Sequence, residues 1–244
     1  MEINPIFTPV ENRGLLSKII ATKVEKAIRS KQFLSGDKLP TEMELCNQFG
    51  VSRTSVREAL RTLSAKGLIS VVKGKGIYIK EPSSDIITDH LQSYLQLNSE
   101  RDYVMDIVHA RQMIEPVIAA SAALNYTSAD AEKLKNDIEE LKHCNGSFTE
   151  LAKLDTRFHL DIARASQNSI MPLLLDPINQ LMPEIRSYVY ATNKDAKDSA
   201  LIWHQKILDG IIIRDSVAAK EAMTQHLKIA EEHAEKMLQI KISI

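Results

Sequence analysis

Apolar positions in the first 80 residues recur at helical spacing and then at strand spacing. Over residues 15–30 they fall at Leu16, Ile19, Ile20, Val24, Ala27 and Ile28, one stripe of a 3.6-residue helix. Ser35-Gly36-Asp37 is turn chemistry. A second helix is predicted from Thr41, an N-cap with Glu44 three residues on in a capping box, and Gly50 stops it after Phe49. Ser52 caps a third helix over about 53–66, closed by Gly67. Residues 68–72 and 77–79 then read as two short strands around Lys73-Gly74-Lys75-Gly76, a hairpin.

A polar break at Glu81-Pro82-Ser83-Ser84 separates this region from one that is helical almost throughout. Helices are predicted near 85–97, 101–125, 128–143, 148–166, 170–190, 199–213 and 215–240. Pro116 falls inside one of them, and Pro172, Pro177 and Pro183 crowd another, so kinks or breaks are expected there. The predicted fold is mainly α: three helices and a β-hairpin, a winged helix-turn-helix, over 10–81; a linker at 82–85; and an all-α bundle over 86–244.

Composition agrees with a globular protein of this kind. The 244 residues are 44% hydrophobic and 26% charged, enough apolar surface to bury two cores without staples. Eight Gly, eight Pro and 5% aromatics argue against a loop-rich all-β chain. Cys46 and Cys144 are too few and too scattered for a disulfide framework or a thiolate metal site, and nothing suggests redox work. Cys46 is expected as a small buried residue on the apolar face of the second helix. The first residues lack the pattern of a signal peptide, and no stretch approaches the roughly 20 apolar residues that span a bilayer. A cytoplasmic protein without a membrane partner is expected.

Net charge is −1, which excludes a uniformly polybasic chain, but the total conceals a division. Residues 1–80 hold 14 Lys+Arg against 7 Asp+Glu, or +7; the remainder holds 17 against 25, or −8. A basic module joined to an acidic one suggests an anionic partner for the N-terminal part. A helix fits the major groove of DNA, and its N-terminal residues and dipole favour base edges and phosphate. With Val56, Leu60 and Leu63 turned inward, Arg53, Thr54, Arg57 and Arg61 of the third helix are left to face out. At the hairpin tip Gly74 and Gly76 permit close approach, and Lys73 and Lys75 supply charge. A protein–protein module with solvated arginines is the alternative.

The run LPTEMELCNQFGVSRTSVREALRTLSAKGLISVVKGKGIYI resembles the DNA-binding domain of the GntR family of bacterial transcription regulators over about 40 contiguous residues. The resemblance implies that Ser52, Arg53, Thr54 and Arg57 contact operator DNA, with Gly74 and Lys75 at the wing. One position departs. The family usually carries an arginine after the glutamate that matches Glu42, and this chain has Met43, which implies reduced direct readout or a different operator.

Histidines supply a second signal. Asp155 and His159 stand i, i+4 on one helix face, His204 follows Trp203 on a later helix, and His226 lies on the last one. A carboxylate and three imidazoles suit Zn, Ni, Fe or Mn more than Ca or Mg. Spacing alone leaves open that these histidines are exposed or capping groups. Trp203 is expected as core packing.

Residues from about 86 to 240 resemble the all-helical FCD effector domain of FadR-type GntR regulators, through ARQMIEP, LDTRFHLDIARASQN, WHQKILDGI and AMTQHL. That resemblance implies one divalent ion at Asp155, His159, His204 and His226, with zinc the first choice for this ligand set and Ni, Mn or Fe the alternatives. It disfavours a fatty acyl-CoA effector. Arg111 matches the arginine facing the family's pocket and suits a carboxylate clamp, the alternative being an ion pair with Glu115. Arg186, Asn168 and Tyr190 are further candidate pocket groups. The expected protein is a homodimeric, ligand-responsive regulator, most often a repressor in this family, that binds double-stranded operator DNA and a small organic or sugar acid. A regulator sensing the metal itself is the runner-up, and an enzyme is not expected.

Overall fold

Thr41 and Ser52 cap their helices as their spacing predicts. The computed structural model describes residues 14–81, 83–97 and 103–242. The chain divides into two units, Met1–Ile86 and Ile87–Ile244.

In the first unit, α1 (Gly14–Arg29) precedes α2 (Glu42–Phe49) and α3 (Arg53–Ala65). The Thr41 hydroxyl accepts from Glu44 N while the Glu44 carboxylate accepts from Thr41 N, a closed capping box. Gly50 ends α2 at φ 65°, the left-handed conformation that a side chain resists. Strands β2 (Ile69–Val72) and β3 (Gly76–Ile79) form the expected hairpin.

A third strand, β1 (Lys38–Leu39), was not expected. It pairs antiparallel with β3, giving the order β1-β3-β2, with Leu39 opposite Ile77 and Lys38 opposite Tyr78. Two residues have no period to read, so only the tertiary pairing defines this strand. Val56, Leu60 and Leu63 of α3 pack with Ile20, Val24, Leu45, Ile69, Ile77 and Ile79 in one core. Leu16 and Ile19, part of the predicted α1 stripe, are instead exposed.

The second unit follows from α4 (Asp85–Leu97) with α5 (Val104–Asn125), α6 (Ser128–His143), α7 (Phe148–Ala165), α8 (Ile170–Gln180), α9 (Pro183–Thr192), α10 (Ala196–Ile212) and α11 (Ser216–Ile242). Capping boxes at Thr127/Asp130 and Ser147/Glu150 start α6 and α7. Where one helix is predicted over 170–190 there are two. Pro183 cannot continue α8 but suits the first turn of α9, so the chain breaks at Leu181–Met182. Pro116 lies buried within α5 without ending it, and Pro172 falls in the first turn of α8, where its missing N–H has no helical partner to lose.

Phe158, Leu134, Ile162, Ile207, Ile211, Met223 and Leu227 form the bundle core with a set of alanines. Small residues let helices approach closely there. A Cβ on Gly210 of α10 would stand 2.7 Å from Ala219 N and 2.9 Å from Ala219 Cα of α11. That close crossing helps position His204 on α10 and His226 on α11. Trp203 is half-buried against the same core, with Lys206 Nζ 4.1 Å above its ring. Cys46 and Cys144 are free thiols, each half-buried rather than sealed in a core.

Candidate metal centre and nucleic-acid interface

The first unit presents a basic edge. The Ser52 hydroxyl accepts from Ser55 N as the cap of α3, so this residue has a structural task at an exposed position. Arg53, Thr54 and Arg57 are exposed on the first turns of α3, where the positive end of the helix dipole lies. Arg53 Nη2 rests 3.6 Å from Met43 Sδ, and Arg57 Nε stands 4.0 Å from Glu42 Oε1. Arg61 is paired with Glu58 at 2.6 Å. At the wing, Gly74 adopts φ 76°, and Lys73 and Lys75 flank it in exposed positions. Sequence reasoning missed Lys38. It sits on β1 opposite Tyr78, and its Cε lies 2.5 Å from where a Cβ on Gly76 would be, which adds a third cation to the wing.

In the second unit α7, α10 and α11 bring Asp155, His159, His204 and His226 together. One ligand atom from each lies within 4.8 Å of all the others. His226 Nε2 is 3.2 Å from His159 Nε2, and Asp155 reaches His204 Nε2 at 3.3 Å through Oδ1 and His159 Nε2 at 4.0 Å through Oδ2. All four side chains are buried, His204 completely.

Whether these residues suit a cation can be judged from their unmet needs. His204 has a hydrogen-bond partner at neither ring nitrogen; its approach to Asp155 is close but misaligned. Leaving such a group unsatisfied in a protein interior costs about 1–3 kcal/mol. Phe158 stacks on that ring, centroids 4.0 Å apart, and fixes its plane. His159 Nδ1 lies 2.5 Å from Glu115 Oε2, so its proton belongs on Nδ1 and the Nε2 lone pair faces the cluster. Its Nε2 therefore meets His226 Nε2 inside a ring of donor atoms. This set fits a divalent metal ion.

Charge states agree with that fit. Burial opposes ionisation of Asp155, but the Arg186 guanidinium together with His204 and His159 outweighs it and holds the carboxyl well below its usual range. Glu115 is likewise buried, yet Arg111 and His159 keep it ionised. Burial depresses both His159 and His226, the latter also through its histidine neighbours, so both rings are neutral. Anionic carboxylate and neutral imidazole are the forms that ligate.

Arg111 makes the ion pair with Glu115 that was weighed for it and also borders the cluster and the cavity. Its Nε donates to Glu115 Oε1 at 2.6 Å in a fully buried ion pair, while Nη2 stands 3.5 Å from His159 Nε2. Arg186 Nε pairs with Asp155 Oδ2 at 2.8 Å, and its other nitrogens donate to Thr156 Oγ1 and Asn179 Oδ1. Tyr190 donates to Asp155 Oδ1 at 3.3 Å. Arg111, Asp155, Arg186, Tyr190 and His226 line one cavity of about 60 Å³, closed elsewhere mainly by apolar side chains of α9, α10 and α11.

Asn168 does not join them. It is exposed before α8, its Oδ1 accepting from Ile170 N, and it is absent from the cavity wall, so its side chain serves the turn rather than a pocket. Glu115 is the residue that sequence reasoning weighed only as a rival partner for Arg111. Its i, i+4 spacing from Arg111 was visible, but its second bond, to His159, depends on how α5 meets α7.

Residues 16–79 match bacterial regulatory proteins of the gntR family, and residues 106–228 match the FCD domain. The transcriptional regulator LutR of Bacillus subtilis is 30% identical over 84% of this chain and 94% of its own length. The Uxu operon regulator of Haemophilus influenzae is 33% identical over 79% and 72% respectively. An Escherichia coli protein named for regulation of the L-lactate dehydrogenase operon is 32% identical over 87% and 83%. Among solved structures, a Streptococcus agalactiae GntR protein matches with a TM-score of 0.70 at 26% identity, covering 88% of this chain and 99% of that one. Among the described residues no helix is long and apolar enough to cross a membrane. These relatives are named as regulators of transcription, not as enzymes. The chain belongs to the GntR family of bacterial transcription regulators, in the FadR-type branch that joins a winged helix-turn-helix to an FCD domain.

Proposed function

We propose that this regulator is a homodimeric repressor whose operator affinity responds to a small carboxylate or sugar acid held beside a divalent transition metal. Zinc is the first candidate and Ni, Mn or Fe the others. The observation that carries the reading is the convergence of four buried ligand groups, two of which, Asp155 and His226, line a cavity that also presents two arginines. Asp155, His159, His204 and His226 would hold the ion. When bound, it supplies a Lewis-acidic positive charge to carboxylate oxygens.

The chain's own residues supply the rest. Glu115 orients the His159 ring through Nδ1 and neutralises Arg111. Arg111 and Arg186 offer guanidinium N–H groups to an acid in the cavity, where apolar walls strengthen each contact. At about 60 Å³ the cavity takes a few water-sized groups, which suits a small hydroxy acid and not an acyl-CoA. The L-lactate dehydrogenase operon in one relative's name points the same way. A cavity beside the cluster favours an acid as the signal over the metal alone.

For the DNA half, residues 10–81 serve as the reading domain, 82–85 as linker and 86–244 as effector domain. Arg53 and Arg57 read base edges, Ser52 and Thr54 contact phosphate, and Gly74 and Lys75 carry the wing. Two-fold symmetry places two recognition helices on half-sites about one helical turn apart. Linkage then requires effector and operator to weaken each other's binding. Operator titrations of the zinc-loaded dimer with and without lactate, gluconate and related acids test this. An acid that lowers operator affinity supports the reading; acids that bind free and operator-bound protein equally well overturn it.

A further inference from the structure

The cavity beside the proposed metal ligands has a neighbour. A second concavity, about 290 Å³, is formed by the end of α9, the residues after it and the late turns of α11. Val189 and His233 line both spaces. The two differ in charge. Inside, Arg186 and Arg111 face Asp155 and Glu115, so the arginines come with carboxylate partners. Outside, Lys194 and Lys236 line the wall, and among the described lining residues there is no acidic side chain. Glu232, the acid that acts on His233, is not part of that wall.

The partition between them is neutral and built from side chains. Asn193 Oδ1 accepts from Asp195 N at 3.1 Å, which leaves Nδ2 to donate to His233 Nε2 at 2.8 Å. The imidazole therefore carries its proton on Nδ1. A hydroxyl-bearing ligand can replace one such hydrogen bond with another of the same kind.

We propose that the outer concavity is a second anion subsite of the same effector. An acid anchored by one carboxylate at Arg111 and Arg186 extends past His233 and places a second anionic group, a carboxylate or a phosphate ester, at Lys194 and Lys236. The effector is therefore a two-ended acid, and a monoacid fills only the inner space. This rests on the inner-site reading given under Proposed function. Both lysines are exposed, so the gain is that of screened pairs, about tenfold in affinity at low salt, and it shrinks as salt rises.

Calorimetry on the zinc-loaded, full-length protein tests this with gluconate against glucarate and 6-phosphogluconate, and lactate against malate. Tighter binding of a two-ended acid by about tenfold is expected, with the better of glucarate and 6-phosphogluconate showing which anion the lysines take. In Lys194→Ala/Lys236→Ala that advantage disappears while the monoacid still binds within twofold of wild type. If mono- and two-ended acids bind alike, or the double variant keeps the advantage, the outer subsite is wrong and the inner site stands. If none of these acids binds, the inner-site reading falls and the subsite with it.

Discussion

Glu115→Gln is the substitution that most sharply separates a built site from a coincidence of buried polar groups. Glu115 is 1% exposed and makes two short charge-assisted contacts, 2.6 Å to Arg111 Nε and 2.5 Å to His159 Nδ1. The amide is nearly isosteric and can still accept from His159, so shape and one hydrogen bond survive. What is lost is the negative charge opposite Arg111, whose side chain is 3% exposed. Removing one partner of a buried ion pair costs about 3–5 kcal/mol, a large part of a typical 5–15 kcal/mol of folding stability. His159 also loses the carboxylate that raises its basicity, which lowers metal affinity by about 10–100-fold. Urea denaturation of metal-free protein reads the first effect, and zinc competition with a chromophoric chelator reads the second. A loss below about 1 kcal/mol together with unchanged zinc affinity would refute both the buried pair and the orienting role.

Three further outcomes follow from other parts of the molecule. Gly210→Ala drives a Cβ into the backbone of Ala219, so α10 and α11 must separate; a loss of about 1–3 kcal/mol is expected by thermal denaturation, with weaker zinc binding because His204 and His226 ride on those helices. Burial and the neighbouring Asp161 push the Asp137 carboxyl up to about 7. The folded chain thus keeps a proton that the unfolded chain releases near pH 4. That stability is complete below about pH 4 and is lost as pH rises through 7, by about 1–2 kcal/mol after solvent screening, and Asp137→Asn should flatten the slope in urea titrations from pH 4 to 8. On DNA, Lys75→Ala and Lys38→Ala should each weaken operator and random duplex alike and reduce the slope of log K against log salt by about 1; an unchanged slope removes that lysine from the interface.

Much of this molecule was legible from local chemistry. Thr41 with Glu44, Ser52 and Gly50 announce α2 and α3 because caps and left-handed glycines act within a few residues. The i, i+4 pair Asp155 and His159 is likewise a property of one helix. That His204 and His226 join it was implied by resemblance, and their convergence is a property of packing that no spacing in the chain encodes. The misses share that cause. Strand β1 exists only through its pairing with β3, and Lys38 reaches the wing only through that strand. Glu115 becomes an orienting group only where α5 meets α7. Asn168, a candidate pocket group by sequence, lies beyond the end of α7 and turns its amide to its own backbone. The split of 170–190 was within reach, since Pro183 marks a helix start as well as a helix stop.

The metal content of the purified, full-length protein and of two variants tests the central claim most directly. Wild type dialysed against zinc and then against buffer should retain one ion per chain by mass spectrometric metal analysis. His204→Ala and His226→Ala, which remove ligands from α10 and α11, should retain far less while their far-ultraviolet circular dichroism stays helical. Wild type without bound metal, or variants that keep a full equivalent, would contradict the assignment of Asp155, His159, His204 and His226 as a metal centre.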